Sequence, residues 1–312
     1  MKKDLLGMED LNRKEVEELL RLALRYKRER GKRSSSELRG KTVAMIFEKP
    51  STRTRVSFEV AVHEMGGKPL FLSSQELQLS RGETVADTAR TLSRYVHGIV
   101  ARVSSHENLV ELARHSTVPV INALSPLQHP CQTLADLLTM QEHKGSLKGL
   151  RVAWVGDGNN VCTSLMLGCA TVGSHFRAAI PPGYEPPGEL VRLARQRAGE
   201  SGGTVEIGHD PEEVVSGAEV VYTDVFVSMG KEEERERRKR DFQGFQVTSR
   251  LLSLAGKEVI FMHCLPAHRG EEVTDEVIDG PHSVVFDQAE NRLHTQKAVL
   301  FKLLSGRARS SP

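Results

Sequence analysis

The chain has 312 residues, 38% of them hydrophobic and 27% charged, which is enough for two domains with ordinary soluble cores. A formal net charge of only +2 excludes the broadly basic surface that nucleic acids and anionic membranes attract. No apolar run approaches the ~20 residues that span a bilayer, the N-terminus lacks a secretion signal, and the four cysteines show no paired spacing, so we predict a cytoplasmic protein.

The first predicted element is a helix that begins at a capping box, Asn12 with Glu15, and ends at Gly31. Strand and helix patterns alternate after it, which is typical of a mostly parallel sheet covered by helices. The strands of this block are predicted at 42–47, 69–72, 98–103 and 117–121, and the helices at 52–66, 84–95, 106–115 and 132–143.

A short polar segment, 144–149, separates this block from a second alternating block. The charge run 231–240 mixes both signs at helical spacing and predicts a solvated helix face. An amphipathic helix over 291–304 closes the chain. The strands of the second block are predicted at 151–155, 176–180, 204–207, 219–223, 258–263 and 283–286.

The turn after the strand 42–47 concentrates groups that bind anions. A helix start leaves N–H groups unpaired and carries partial positive charge, and guanidiniums add two-pronged hydrogen bonds. This combination predicts a site for a phosphate or a similar dianion. A Ser/Thr cap with solvated arginines would explain one hydroxyl and one guanidinium, but not so many donors in one turn. The donors are Ser51, Thr52, Arg53, Thr54 and Arg55.

Other polar residues lie at the ends of predicted strands, where two-domain α/β proteins bind ligands. Arg102 ends one strand, and His129 and Gln132 stand at a proline-initiated helix start. Asp224 and Cys264 follow strands of the second block, where a carboxylate could hold an amine. The ordinary alternatives are a surface arginine, a loop histidine with a polar cap, and a turn aspartate, and the residues alone leave them open.

Two further kinds of site are disfavoured by spacing. The turn Gly156–Asn160 looks like a dinucleotide fingerprint, but Val161 stands where the third glycine belongs, although the turn could still bind a carboxylate. His129, Cys131, His263, Cys264 and His268 offer zinc ligands without a zinc-binding spacing, so no metal site is predicted.

Together the motifs resemble the ornithine carbamoyltransferases. STRTR and HPxQ indicate a carbamoyltransferase in general, including the aspartate-specific enzymes, whereas the aspartate before an SMG loop and the HCLP segment indicate ornithine. The matching segments keep the family's order over nearly the whole chain: 47–59, 78–83, 129–139, 156–160, 224–230, 263–270 and 286–298.

The resemblance implies two α/β domains, each with a mostly parallel sheet, and an active site in the cleft between them. Residues 1–133 would bind carbamoyl phosphate, 134–292 would bind ornithine, and 293–312 would pack back on the first domain. It also implies a homotrimer or a multiple of trimers, and a reaction that needs no metal or organic cofactor.

The resemblance implies a role for each matching residue, with Arg102, His129, Asp224 and Cys264 as the catalytic ones. The family usually has tryptophan where this chain has Phe226, which bears on loop packing. Ornithine would be held by Asn160, Asp224, Ser228 and Met229. Carbamoyl phosphate would be bound by Ser51, Thr52, Arg53, Thr54, Arg55, Arg102, His129, Gln132, Cys264, Leu265 and Arg292, and by Gln78 from a neighbouring subunit.

The predicted reaction transfers the carbamoyl group of carbamoyl phosphate to the δ-amine of L-ornithine, which gives L-citrulline and phosphate. A carbamoyltransferase acting on putrescine, N-acetylornithine or aspartate remains an alternative. So do a nicotinamide-dependent dehydrogenase that uses the Gly156–Asn160 turn and a non-enzymatic amino-acid binding protein. The sequence leaves an anabolic or a catabolic role, and trimer or larger assembly, open.

Overall fold

The computed structural model describes residues 1–33, 35–73, 77, 82–228 and 232–305. The chain divides into two compact units, which are Met1–Ala135 together with the chain from Glu290 onward, and Asp136–Ala289. Among the residues described, none of the helices combines the length and the apolar character that a bilayer crossing requires.

The first unit contains a four-stranded parallel sheet in the order β2-β1-β3-β4. Its strands are β1 (Thr42–Phe47), β2 (Lys68–Ser73), β3 (Gly98–Arg102) and β4 (Val120–Leu124). A short 3-10 helix, Met8–Asp10, opens the chain. The helices are α1 (Arg13–Glu29), α2 (Thr52–Glu64), α3 (Val85–Tyr95), α4 (His106–His115) and the start of α5 (Pro130–Lys144).

The local signals of the first unit act as predicted, with one shift. The capping box forms, since Glu15 N donates to Asn12 Oδ1 at 3.0 Å and Asn12 N donates to Glu15 Oε2 at 2.9 Å. The strand predicted at 117–121 begins three residues later, at Val120. Pro119 has no N–H to give to a ladder, so the pairing with β3 begins just after it.

The second unit contains a five-stranded parallel sheet in the order β7-β6-β5-β8-β9. Its strands are β5 (Arg151–Val155), β6 (His175–Ala179), β7 (Thr204–Gly208), β8 (Val220–Thr223) and β9 (Ile260–His263). Its helices are α6 (Asn160–Val172), α7 (Gly188–Ser201), α8 (Pro211–Val215), α9 (Arg235–Asp241), α10 (Ser249–Leu252) and α11 (Asp275–Ile278). The predicted α/β class, with a mostly parallel sheet in each part of the chain, is confirmed.

The strand predicted at 283–286 is wrong. Ser283 makes one isolated bridge to Phe261, and the last helix, α12 (Val285–Leu304), already begins two residues later. The helix therefore starts six residues before the predicted 291. Apolar, β-branched residues at 284 and 285 favour a strand, but Gln288 N donates to Val284 O at 2.9 Å and winds the segment into a helix.

Strand order reverses once in each sheet, between β1 and β3 and between β5 and β8. Ligands of open α/β sheets bind at such reversals, beyond the carboxyl ends of the strands. The register aligns Phe47 with Arg102 in the first unit, and Val155 with Thr223 in the second. The residues that follow these aligned pairs are the candidates for a site.

Candidate functional site

The candidate site of the first unit, which we call the anion site, is built where β1 leads into α2. Ser51 caps the helix, and its Oγ accepts a hydrogen bond from Thr54 N at 3.3 Å. Thr52 is exposed and Arg53 is half-buried, and within the described chain no carboxylate pairs with Arg53. The helix start therefore combines backbone donors with a guanidinium whose charge is not neutralised by a neighbour.

Arg55 points to a different environment from Arg53. Its Nε donates to Glu59 Oε1 at 3.0 Å, and its guanidinium carbon lies 3.7 Å from the centre of the Phe71 ring. These contacts occupy Arg55 on the exposed side of α2. Its predicted role at the phosphate stays a prediction, with less local support than that of Arg53.

Arg292, which lies on α12, joins two helix starts in the anion site. Its side chain is buried, and Nη1 donates to Gln132 Oε1 at 2.6 Å while Nη2 donates to Thr54 Oγ1 at 3.2 Å. Arg102 is also buried, at the end of β3. The structure thus brings Thr54, Gln132 and Arg292 into one hydrogen-bonded group.

His129 is buried beside these arginines, immediately before the first residue of α5. Burial lowers the pKa of His129 well below its ordinary value, and the positive charges of Arg292 and Arg102 lower it further. The imidazole is therefore neutral near pH 7, with one N–H to donate. A neutral donor next to buried guanidiniums suits a carbonyl oxygen that gains negative charge.

The loop that carries His129 is fixed by a buried amide. Asn122 Nδ2 donates to Leu6 O at 2.7 Å and to Gln128 O at 3.2 Å. Cys131 also belongs to this support, because its Sγ donates to Asn122 O at 3.4 Å and burial raises its pKa to about 12. Cys131 is accordingly a packing residue and not a reactive thiol.

The candidate site of the second unit, which we call the amine site, centres on Asp224, the residue after β8. Its Oδ2 accepts from Asn159 Nδ2 at 2.8 Å, and its Oδ1 accepts from Cys264 Sγ at 3.1 Å. The buried carboxylate of Asp224, which follows β8, thus binds one side chain that follows β5 and one that follows β9. A carboxylate held by neutral donors keeps its charge for a bound amine.

Asn159 is the site residue that the sequence reasoning missed. It caps α6, since its Oδ1 accepts from Val161 N at 2.9 Å and from Cys162 N at 3.0 Å, and its amide reaches Asp224. The predicted residue, Asn160, is the first residue of α6 and is half-buried. Asparagine one position before a helix is a standard N-cap signal, which could have identified Asn159.

Cys264 is the accessible thiol of the chain. All four cysteines are free, and the other three, Cys131, Cys162 and Cys169, are buried. Burial raises the pKa of both Cys162 and Cys169. Of the remaining predicted site residues, Ser228 is half-buried, whereas Gln78 and Met229 lie outside the described residues.

Asp224, His263 and Cys264 place one potential metal ligand each within 4.8 Å of one another. His263, however, has both ring nitrogens engaged, since Nδ1 accepts from Leu265 N at 2.8 Å and Nε2 lies 3.1 Å from Glu272 Oε1. A metal would need the Nδ1 lone pair that this backbone bond already uses. The geometry gives no support for a histidine ligand here.

The solvated face predicted for 231–240 is wrong at one position, Arg238, which is 2% exposed. Its Nη1 donates to Asp157 Oδ2 at 2.9 Å and to Phe226 O at 2.8 Å, and its Nε donates to Glu234 Oε2 at 2.8 Å. Arg238 therefore connects the turn after β5 with the segment after β8. The other described cations of the run are exposed, as predicted: Arg235, Arg237, Lys239 and Arg240.

Phe226 is buried in the core of the second unit. Its ring centre lies 4.7 Å from that of Phe242, and its ring packs beside Gly156, where an added Cβ would lie at the ordinary contact distance of 3.4 Å. Phe226 thus belongs to the hydrophobic core of the second unit.

Comparison with known proteins gives matches along nearly the whole chain. The family model described as the aspartate/ornithine carbamoyltransferase carbamoyl-P binding domain matches residues 3–142, and the one described as the Asp/Orn binding domain matches 148–303. An ornithine carbamoyltransferase of Carboxydothermus hydrogenoformans is 56% identical over 97% of this chain and 97% of the relative. An anabolic ornithine carbamoyltransferase of Pyrococcus furiosus is 54% identical over the same shares.

A solved structure of ornithine carbamoyltransferase from Pyrococcus furiosus superposes with a TM-score of 0.95 at 54% identity and covers 98% of both chains. The similarity therefore extends over both compact units and not over one motif or one sheet.

The Arg238 contacts predict that removing its guanidinium lowers the free energy of unfolding substantially. Arg238→Met would leave the buried Asp157 carboxylate without its cation, which costs about 3–5 kcal/mol in comparable pairs. Denaturant unfolding followed by circular dichroism measures this loss. Arg237→Met, at a side chain that is 58% exposed, is the control and should change stability by less than about 0.5 kcal/mol. Equal stability of the two variants would contradict the role given to Arg238.

The depressed pKa of His129 predicts a pH dependence of stability. Below pH 6.5, the ordinary histidine pKa, His129 binds a proton in the unfolded chain but stays neutral in the folded chain. The free energy of unfolding therefore falls as the pH drops below 6.5. His129→Asn should flatten this slope by up to about 1.4 kcal/mol per pH unit. Free energies of unfolding measured across that range test this, with His63→Asn, at an exposed position, as the control. Identical slopes in wild type and His129→Asn would refute the prediction.

Proposed function

The chain belongs to the aspartate/ornithine carbamoyltransferase family, and we propose that it transfers the carbamoyl group of carbamoyl phosphate to the δ-amine of L-ornithine. The products are L-citrulline and phosphate. The observation that carries the proposal is the placement of the matching motifs: anion donors gather at the strand reversal of one sheet, and a buried carboxylate stands at the reversal of the other. The predicted family and enzyme class are confirmed by the relatives of that name.

The anion site would bind carbamoyl phosphate through its phosphate. Ser51, Thr52, Arg53 and Thr54 offer hydroxyls, a guanidinium and backbone donors at the start of α2, and Arg55 is assigned a supporting place beside them. Each charged hydrogen bond there contributes about 1.5–3 kcal/mol. The same donors would stabilise the phosphate dianion as it leaves. Gln78 is assigned to the same ligand from a neighbouring subunit.

The carbamoyl group would be activated by buried donors. Arg102 and the neutral His129 would donate to the carbonyl oxygen as it becomes an oxyanion, and Gln132 would contact the carbamoyl end. Arg292 holds Gln132 through a hydrogen bond of 2.6 Å and so fixes the position of its amide. Cys264 and Leu265 are also assigned to the reaction centre, as the family resemblance implies.

The amine site would hold ornithine. Asp224 and Cys264 would orient the δ-amine, and Asn160, Ser228 and Met229 would hold the rest of the amino acid. The amine attacks the carbamoyl carbon only as the neutral base, so the rate should rise with pH until the bound amine has lost its proton. Alignment of amine and carbonyl supplies the remaining catalysis, and the step uses no metal and no organic cofactor.

Three finer assignments belong to the proposal. We place the chain in the cytoplasm, because its four cysteines are free thiols. We place it in arginine biosynthesis, after the Pyrococcus furiosus relative named anabolic. We also infer a trimer or a multiple of trimers, as the family resemblance implies. The molar mass in solution tests the last point.

Arg53→Ala should remove one charged contact to the phosphate while the fold survives. We expect kcat/KM for carbamoyl phosphate to fall roughly 10- to 150-fold, which corresponds to the loss of one such bond. A citrulline assay with chelator present measures this, with the exposed Arg90→Ala as the control. Citrulline formation at the wild-type rate by Arg53→Ala would overturn the phosphate site.

Asp224→Asn keeps the shape of the carboxylate and removes its charge. We expect at least a tenfold loss of kcat/KM for ornithine, since a charged hydrogen bond is replaced, with little change in the KM for carbamoyl phosphate. The wild-type enzyme should turn over ornithine faster than putrescine, N-acetylornithine or aspartate. Faster turnover of one of those three acceptors would replace ornithine in the proposal.

A further inference from the structure

A histidine and a glutamate lie fully buried directly behind the amine site. His263 is the last residue of β9, and Glu272 follows it in the next loop, and both side chains are 0% exposed. His263 Nε2 lies 3.1 Å from Glu272 Oε1. Neither residue belongs to the groups assigned above to substrate.

The hydrogen bonds determine which nitrogen of His263 carries its proton. Leu265 N donates to Nδ1 at 2.8 Å, so Nδ1 must present a lone pair. The proton therefore sits on Nε2, and Nε2–H donates to Glu272. His268 N donates to the same Oε1 at 2.6 Å, so Glu272 closes the chain segment between His263 and His268 into a loop.

The buried pair of His263 and Glu272 is an unfavourable way to gain folding stability alone. A carboxylate with no exposure loses its hydration, and in this case Oε2 of Glu272 accepts no hydrogen bond from any residue that the structure describes. A well-packed apolar pair at such a position is often as stable or more stable. The buried Glu272 carboxylate is therefore explained better by its effect on His263, because it holds the imidazole proton on Nε2.

The segment that the histidine holds is unusual in its backbone. Leu265 has a φ of 59°, which non-glycine residues rarely adopt and which persists only where neighbouring contacts fix it. The bond from Leu265 N to His263 Nδ1 is such a contact. Between the two residues lies Cys264, whose thiol donates to Asp224.

We propose that Glu272 and His263 are positioning residues, which hold Cys264 and Leu265 in place for the amine substrate by fixing the imidazole as the Nε2–H tautomer. Without the Glu272 carboxylate, the His263 proton could move to Nδ1. It would then face the N–H of Leu265, and the repulsion would displace the segment that carries Cys264 and Leu265. This inference rests on the proposed function for its kinetic part, but its structural part concerns Cys264 and needs no turnover.

The experiment compares Glu272→Met with Glu272→Gln. Methionine removes both acceptors, whereas glutamine retains an oxygen for His263 and His268. We expect Glu272→Met to lower kcat about 100-fold, as a displacement of about 1 Å does in other sites, and Glu272→Gln to keep activity within about tenfold of wild type. The KM for carbamoyl phosphate should stay unchanged in both variants.

The rate at which iodoacetamide alkylates Cys264 is the second readout, because the other three cysteines are buried. Glu272→Met should change this rate severalfold, Glu272→Gln should not, and Glu271→Gln serves as the control at the adjacent carboxylate, which pairs with Arg235. If Glu272→Met does not fold, His263→Asn tests the same contact, since asparagine can accept from Leu265 but does not extend to Glu272.

The outcomes separate the two proposals. A folded Glu272→Met or His263→Asn with wild-type kcat and wild-type alkylation of Cys264 would overturn the positioning role. Equal loss in Glu272→Met and Glu272→Gln would also overturn it, because a retained acceptor would then not matter. A wild-type protein that makes no citrulline, while alkylation of Cys264 responds as expected, would sink the proposed function and leave the positioning role standing.

Discussion

The reversal of strand order in each parallel sheet is the constraint on which the rest of the structure depends. At a reversal, the connections after two neighbouring strands leave toward opposite faces, which opens a crevice at the carboxyl edge. Register then determines which side chains reach that edge: Phe47 is aligned with Arg102, and Thr223 with both Val155 and His263. Motifs far apart in the chain thus form two compact sites, each within one unit.

The two sites are electrostatic opposites. In the first unit, Arg102 and Arg292 raise the local potential enough to help keep His129 neutral. In the second unit, two buried aspartates have different partners, since Asp157 pairs with the Arg238 cation at 2.9 Å whereas Asp224 is held by the neutral donors of Asn159 and Cys264. Only a carboxylate of the second kind has charge left for an amine.

Local signals predicted most elements, whereas the site residues were assigned by the family resemblance and stay predictions. The failures have physical causes. Val284 and Val285 favour a strand by composition, but the helix-forming residues after them and a hydrogen bond from Gln288 N decide otherwise. Arg238 lies among the same kinds of charged residues in the sequence as the exposed arginines of the run. Only the folded structure brings Asp157 within hydrogen-bond distance of it. Burial of one member of a charge run depends on long-range contacts, which periodicity does not contain.

Support for the amine site comes from a buried polar network that extends well beyond it. Gln288 Oε1 accepts from His263 N at 3.0 Å, and Gln288 Nε2 donates to Asp136 Oδ1 at 2.7 Å and to Tyr222 OH at 2.8 Å. The end of β9 is thereby held by its backbone through Gln288 and by its imidazole through Glu272. Networks of this kind stabilise little on balance, because each group gives up its hydration to join. What they supply is a single allowed geometry, and a site that must orient one amine against one carbonyl depends on that more than on additional stability.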